Sequence, residues 1–446
     1  MDKSAQRFKF ISHALNGDGP FRPAISYDTY GKTANATSSY IVRYPRESEQ
    51  KHARRCEVAF YASPLARVTS RFTGYLSTKE VMREINQPAM KSIAEDVDGK
   101  GNSLDVFWQQ FMLDFKARGS MLLLVDSPKI QGANQAEQAQ NRLYPFWTPI
   151  QPELVTAHEL GDDGKFEFVE FSGRSKINDK WESVVYRFER DIWQIKDKDG
   201  SKVLDDGEHG LGECPVLIAT ETTDYPSFGP FSAIADLAKR LYNMDSELDE
   251  ILRAQTFSIL TQQVPEDSSD TQKLAAAKVA GETIGVSNLL VHTGQQPAFI
   301  APPDGPANVY MERIRDVRDQ IREIGMDVAD SNQSESGKAK QLRFQALNGE
   351  LAKFSERMED LERRAWDLTT KWLGMQTPPQ ITWPRDFNIS DVLVELEILQ
   401  EMRNTAMPDD VITAQSKKVV SVQFSGSDTE DMDKLLQSLE SDRSAL

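Results

Sequence analysis

Cysteine is almost missing from this chain: Cys56 and Cys214 are the only two in 446 residues. Two thiols exclude a disulfide scaffold and a four-cysteine zinc site, and they fit a reducing compartment. Long apolar runs are also missing. No stretch approaches the roughly 18–20 residues of a membrane span. The start, MDKSAQRFKFISHALNGDG, lacks the apolar centre of a secretory signal. Positive charge is scarce, with 52 Lys and Arg against 69 Asp and Glu, a net charge of −17. A chain of that sign is not expected to grip nucleic acid over its whole surface, because phosphate binding needs clustered cations. Enclosing or guiding a polyanion remains open to it. The expectation is a cytosol-type protein, neither secreted nor membrane-spanning.

Catalytic and cofactor motifs are absent too. Ser336-Gly337-Lys338 resembles the end of a phosphate-binding loop, but Asn332 and Ala339 stand where that motif needs Gly and Ser or Thr. Gly210-Leu211-Gly212 begins like a dinucleotide fingerprint, yet Pro215 occupies the third glycine position, so it reads as a turn. His13, His52, His158, His209 and His292 are scattered, with no HExxH or HxH pair. His209 and Cys214 lack a second pair of ligands and read as a surface histidine and a buried thiol. No GxSxG elbow occurs. The carboxylate clusters Asp245, Glu247, Asp249, Glu250 and Asp428, Glu430, Asp431, Asp433 read as solvated faces. No catalytic residue, cofactor or metal is expected, and the chain is not expected to be an enzyme.

What is present is a clear order of parts in an α+β, mainly helical chain. Residues 1–50 are rich in Gly, Ser, Thr, Asn and Tyr and read as an irregular arm. Residues 51–76 read as helix with a break near Pro64, and 104–117 as an amphipathic helix. Arg118-Gly119-Ser120 ends that helix, and 121–125 is a short apolar strand. Residues 129–142 are a polar excursion. From Pro145 to Thr220 the pattern turns to strands, as in KFEFVEFSG, where Phe166 and Phe168 set a period of two, and in SVVYRFER. Asp162-Asp163-Gly164 and Lys198-Asp199-Gly200 mark turns between strands.

Beyond Pro230 three apolar stripes alternate steps of three and four, as helices with one buried face do. The first is Ile234, Leu237, Leu241, Met244, Leu248, Ile251, and the second is Tyr310, Ile314, Val317, Ile321, Ile324, Val328. The third runs Leu347, Leu351, Phe354, Met358, Leu361, Ala365, Leu368, Trp372. Helices of this length need partners within the chain or in neighbouring subunits. A 48-residue insertion at 259–306 separates the first two. It holds an Ala-rich helical stretch at 270–281 and the strand-like NLLVHT. The polar run 331–340, SNQSESGKAK, separates the second and third and is expected to be a mobile loop. After ITWPRDF come helices at 391–403 and beyond Met407-Pro408, then an acidic tail. Charge drifts along the chain, with 14 basic and 7 acidic residues in 1–83 but 5 and 13 from Asp386 onward.

This order resembles the portal proteins of tailed bacteriophages, the rings at one capsid vertex, over roughly residues 40–420. RRCEVAFYASPLARVTSRFTGYLS looks like the early helix leading into the wing, and FMLDFKARGSMLLLVD like the helix–Gly–strand step after it. GECPVLIATETTDYPSFGPFSAIADLAKRLYNMDSELDEILRAQTF is similar to the approach into the first stem helix, with Asn243 and Ser246 facing the start of its lower half. The resemblance implies an N-terminal arm (1–50), a wing (51–226), a first stem helix (227–258), a clip (259–305) and a second stem helix (306–330). It then implies a tunnel loop (331–340), a spine helix with the wing's return strand (341–385), and a crown with an acidic tail (386–446).

By the same resemblance the subunit would form a homo-oligomeric ring, twelve-fold by family habit, in the virion, assembling in the host cytoplasm. It would conduct double-stranded DNA without reading its sequence. The clip would dock terminase and later a head–tail adaptor, and the wing would contact major capsid protein and scaffold. Tunnel-loop residues Asn332, Gln333, Ser334, Glu335, Ser336, Gly337, Lys338 and Lys340 would be the candidates for touching DNA. The other reading of the stripes is a non-channel helical assembly protein, a scaffold or adaptor. The insertion between two striped helices, which a simple coiled coil does not need, separates the two.

Overall fold

A computed structural model describes residues 3–128, 143–177, 179–222, 224–256, 259–263, 289–292, 299–300, 305–326, 337–387, 392–405 and 407–423. The predicted helical stretch at 270–281, the excursion at 129–142 and the acidic tail lie outside them. The chain divides into two compact units. The larger takes residues 1–333 and 351–385, and the smaller takes 334–350 and 386–446. Helix and strand are mixed in the larger unit, so the α+β expectation holds.

The larger unit opens with a helix where an irregular arm was expected. Helix α1 (Lys3–Asn16) buries Phe8, Ile11, Ala14 and Leu15, a spacing of three, three and one that puts them on one face. Arg7 anchors it through two hydrogen bonds to the Asp236 carboxylate. A hairpin, β1 (Ala24–Tyr27) with β2 (Thr33–Thr37), follows. Helix α2 (Glu49–Val58) starts where Ser48 Oγ accepts the Lys51 amide. Helix α3 (Pro64–Leu76) begins on the proline, as its missing N–H and fixed φ favour.

Short strand β3 (Met82–Glu84) and helix α4 (Pro88–Glu95) lead to α5 (Leu104–Arg118). Gly119 ends α5 at φ +83, and a Cβ there would lie 1.8 Å from the Gly229 amide nitrogen. Only glycine fits both the left-handed cap and that backbone crossing. Strand β4 (Ser120–Asp126) then runs through the middle of an antiparallel sheet, between β5 (Phe146–Ile150) and β11 (Val216–Thr220).

The intervening chain builds a five-stranded antiparallel meander: β6 (Val155–Leu160), β7 (Phe166–Ile177), β8 (Lys180–Glu189), β9 (Ile192–Asp197) and β10 (Val203–Glu208). The expected turns at Gly164 and Gly200 are made, both at φ +71. One core joins the two sheets through Leu122, Leu124, Ile150, Phe166, Val169, Phe171, Phe188 and Val216. The period of two at Phe166 and Phe168 does not survive. The register slips opposite Glu159 and Leu160, so Phe166 turns inward. Phe168 instead lies under the Arg187 guanidinium, 4.0 Å from ring centre to Cζ.

All three striped helices form. Helix α6 (Ser232–Thr256) enters a small sheet in which β12 (Ile259–Gln263) lies between parallel β13 (Leu289–His292) and antiparallel β14 (Phe299–Ile300). Helix α7 (Gly305–Ile324) returns from it, with Ile314, Val317 and Ile321 buried. Helix α8 (Gly337–Trp372) spans about 54 Å at 1.5 Å per residue. From Leu351 to Leu368 its stripe is buried in the larger unit. An aromatic layer of Trp108, Trp147, Trp366 and Trp383 packs there, and the Trp147 indole donates to Thr369 Oγ1 at 2.9 Å. Strand β15 (Gln380–Thr382) pairs antiparallel with β3.

In the smaller unit, the start of α8 is joined by α9 (Val392–Asn404) and α10 (Asp409–Gln423), which pack on each other. Leu399 and Val419 are buried, and Asn348 Oδ1 accepts the Phe387 amide at 2.7 Å.

Candidate functional site

Helices α6 and α7 form an antiparallel pair tipped by the small sheet. Strands β12 and β14 place the outgoing and returning chain side by side. The contacts run in opposite directions along the pair: Glu247 with Tyr310 at 2.7 Å, then Asp245 with Arg318 at 4.0 Å. The apolar stripes supply the seam, and Tyr310, Ile314, Val317 and Ile321 put it on one face of α7.

A polar node ties the segment before α2 onto α6. Buried Arg55 makes two hydrogen bonds to the Glu47 carboxylate, at 3.0 and 2.9 Å. It also donates to Ser246 Oγ at 3.2 Å and to the Val42 carbonyl at 2.6 Å. Asn243 Oδ1 accepts the Val42 amide and its Nδ2 donates to the Tyr40 carbonyl. Asn243 and Ser246 thus bind the chain's own N-terminal segment. Glu247 accepts hydrogen bonds from both Tyr44 and Tyr310. Burial and the bond to Glu247 push Tyr44 up to about 12, and the bond to Glu247 and burial do the same for Tyr310. Both phenols stay neutral donors.

Near the end of α7 distant from the small sheet, α3, α6 and α7 enclose a cavity of about 400 Å³. Val68, Leu241 and Ile321 supply apolar wall, and Arg67, Arg71, Arg318 and Arg322 line it with Asp245 as the acid among them. Gly325 lets the two backbones approach, since a Cβ there would meet Val68 Cγ1 at 2.5 Å. Burial raises the Asp245 carboxyl, with Arg318 opposing and Asp249 adding to the rise. Each pair of arginines is spaced four apart, but the two pairs are 247 residues from one another in sequence. No local pattern marked this groove.

The expected loop is shorter at its C-terminal side. Helix α8 already begins at Gly337, because Lys338, Ala339 and Lys340 are good helix formers with no proline among them. Gly337, Lys338 and Lys340 therefore lie in its first turns. Asn332, Gln333, Ser334, Glu335 and Ser336 lie outside the described residues. The second striped helix ends at Ile324, short of Val328, with Met326 at φ +50 just beyond.

The histidines sit apart. His209 Nε2 lies 3.1 Å from the Glu189 carbonyl oxygen, and burial lowers its pKa. His13 meets the Tyr40 hydroxyl at 3.0 Å and is likewise lowered by burial. Burial pushes the Cys214 thiol up to about 12. Among the described residues no group of three or more His, Cys, Asp or Glu could hold a metal ion. Among them, too, no helix is long and apolar enough to cross a membrane.

No protein-family model matches the chain, and a comparison with curated proteins finds no match. Among solved structures, the chain is similar to one in the virion of a native gene transfer agent particle. The TM-score is 0.43 and the identity 10%, covering 90% of this chain and 95% of that one. A chain in the neck of an empty particle of that kind, computed with C6 symmetry, gives TM-score 0.42 and 10% identity over 77% and 86% of the two chains. One in the neck of the native particle, computed with C12 symmetry, gives 0.40 and 10% over the same shares.

Proposed function

We propose that this chain is a portal-type subunit of a tailed, phage-like particle. In this reading it is a non-enzymatic ring component that surrounds double-stranded DNA during packaging and ejection. The observation that carries the reading is the antiparallel α6–α7 pair, tipped by a small sheet and followed by the 36-residue α8. That is the stem, clip and spine order which the sequence resemblance implies. The charge balance supports it. A conduit must enclose DNA without holding it, and each Lys or Arg on a phosphate adds affinity through counterion release. A subunit of net charge −17, repeated around an axis, suits passage.

On this reading the small sheet docks terminase and then an adaptor, and the sheet-rich region contacts capsid protein and scaffold. Residues 331–336, with Lys338 and Lys340 at the start of α8, approach the DNA. Electron microscopy of the purified protein, viewed down the particle axis, tests the core of it. A closed ring with a central hole, near twelve subunits, is expected. Monomers, dimers or rods, with no ring even when capsid and scaffold proteins are added, would sink the reading in favour of a scaffold or adaptor.

A further inference from the structure

Four guanidinium groups line one cavity on a chain of net charge −17. Arg67 and Arg71 come from α3, Arg318 and Arg322 from α7, and Asp245 lies 4.0 Å from Arg318. The cations that line the groove are all arginine, the side chain whose planar fork suits paired contacts with carboxylates. The same helix carries the complement. Glu312, Asp316, Asp319 and Glu323 follow one another at steps of four, three and four, so they form a single exposed stripe on α7. Ile314, Val317 and Ile321, buried against α6, lie on the opposite side of that helix.

The acidic stripe and the arginines are offset by one residue. That is about 100° around the helix and only about 1.5 Å along it. Two complementary patches that face different ways allow a head-to-tail, heterologous contact of the kind that closes a ring. Rotation about an axis changes no heights along it. When α7 runs roughly along that axis, one copy's stripe therefore meets the next copy's groove at the same level. Arg322 and Asp319 are 2.9 Å apart within the helix, but this is an exposed pair that exchanges readily for an intermolecular one.

We propose that the groove of Arg67, Arg71, Arg318 and Arg322 takes the carboxylates of Asp319 and Glu323 from a second copy of this chain, and that this contact repeats around the ring. The inference rests on the ring reading above and names the faces that meet. It assigns these arginines to the subunit interface and not to DNA.

The test uses full-length protein, with assembly followed by light scattering and folding by circular dichroism. Arg67→Glu/Arg71→Glu should lower the assembled fraction at least tenfold, and so should Asp319→Arg/Glu323→Arg, each without loss of helix. Mixing the two variants should restore assembly, because alternation pairs every altered patch with an opposite charge. A single chain carrying all four changes should also assemble. Variants that assemble like the wild type overturn the inference and leave the ring reading intact, as do defective variants that mixing does not rescue. Loss of DNA binding by Arg67→Glu/Arg71→Glu with assembly unchanged would assign the groove to phosphate and overturn it too. A wild type that never assembles overturns both.

Discussion

Lys116 Nζ lies 2.8 Å from Glu221 Oε1, with both side chains only 7% exposed. The ammonium also sits 4.5 Å from the ring centre of Phe72 and 4.6 Å from that of Phe231, with Phe354 at 5.4 Å. One charge pair thus joins α5 to the segment after β11, inside a box built by α3, α8 and the start of α6. Removing one member leaves a buried charge without its partner, at a cost of about 3–5 kcal/mol. Lys116→Met is expected to lose about that much in denaturant unfolding. Lys116→Met combined with Glu221→Gln should recover most of the loss. Additive losses in the double variant would show that the pair is not coupled.

Gly119 is expected to be irreplaceable. Alanine would face both a φ of +83 and the 1.8 Å approach to the Gly229 nitrogen. Gly119→Ala should destabilise by at least about 3 kcal/mol. Gly74→Ala, exposed on α3 with nothing within 4 Å of its Cβ, should be neutral or slightly stabilising. Thermal melts of the two variants side by side give the comparison.

The N-terminal helix is expected to be part of the core and not a dispensable arm. Phe8 is 1% exposed and its ring centre lies 4.6 Å from that of Phe228. Ser12 Oγ accepts a hydrogen bond from fully buried Arg118 at 2.8 Å. Phe8→Ala should cost about 3–5 kcal/mol, and deleting residues 1–21 should leave a protein that unfolds at lower denaturant. Unchanged unfolding of the deletion would contradict the burial of α1.

Glu213 sets an acid limit. Burial pushes its carboxyl up, but hydrogen bonds and charge from Lys165 and Lys371 outweigh that and leave its pKa below the usual value. A carboxylate lowered in the folded state contributes stability above its unfolded pKa, near about 4.3. That contribution is lost as pH falls through the lower folded value. Glu213→Gln should therefore cost no more than about 1 kcal/mol at pH 7, since both lysines are half exposed. The gap to wild type should stay flat down to about pH 5 and close below about 4.3. A gap that widens in acid would reverse the assigned direction.

On the portal-type reading proposed above, replacing residues 331–336 with a Gly-Ser linker, leaving α8 to start at Gly337, is expected to keep assembly and to impair DNA packaging or retention. Assembly measured by light scattering and packaged DNA measured in particles separate the two effects. Loss of assembly alone would make the segment a packing element.

Much of this architecture was legible along the chain because its causes are local. Helix α5, the Gly119 cap and β4 follow from an amphipathic run, a residue free to take positive φ, and an apolar run. The three stripes and the turns at Gly164 and Gly200 are periodic or conformational signals of the same kind. Helix α1 was missed because its short apolar face is diluted by polar residues, and packing against distant elements decides it. Phe168 left the core because a register slip moved its neighbours, which no count of alternation contains.

The polar constellations came from tertiary structure alone. Arg55 meets Ser246 across 191 residues, Lys116 meets Glu221 across 105, and the two arginine pairs of the groove are farther apart still. Residue type and spacing decide which segments become helix or strand, through backbone conformation and one-sided burial. Which charges face each other depends on how those segments close on one another, and that leaves no period in the sequence to read.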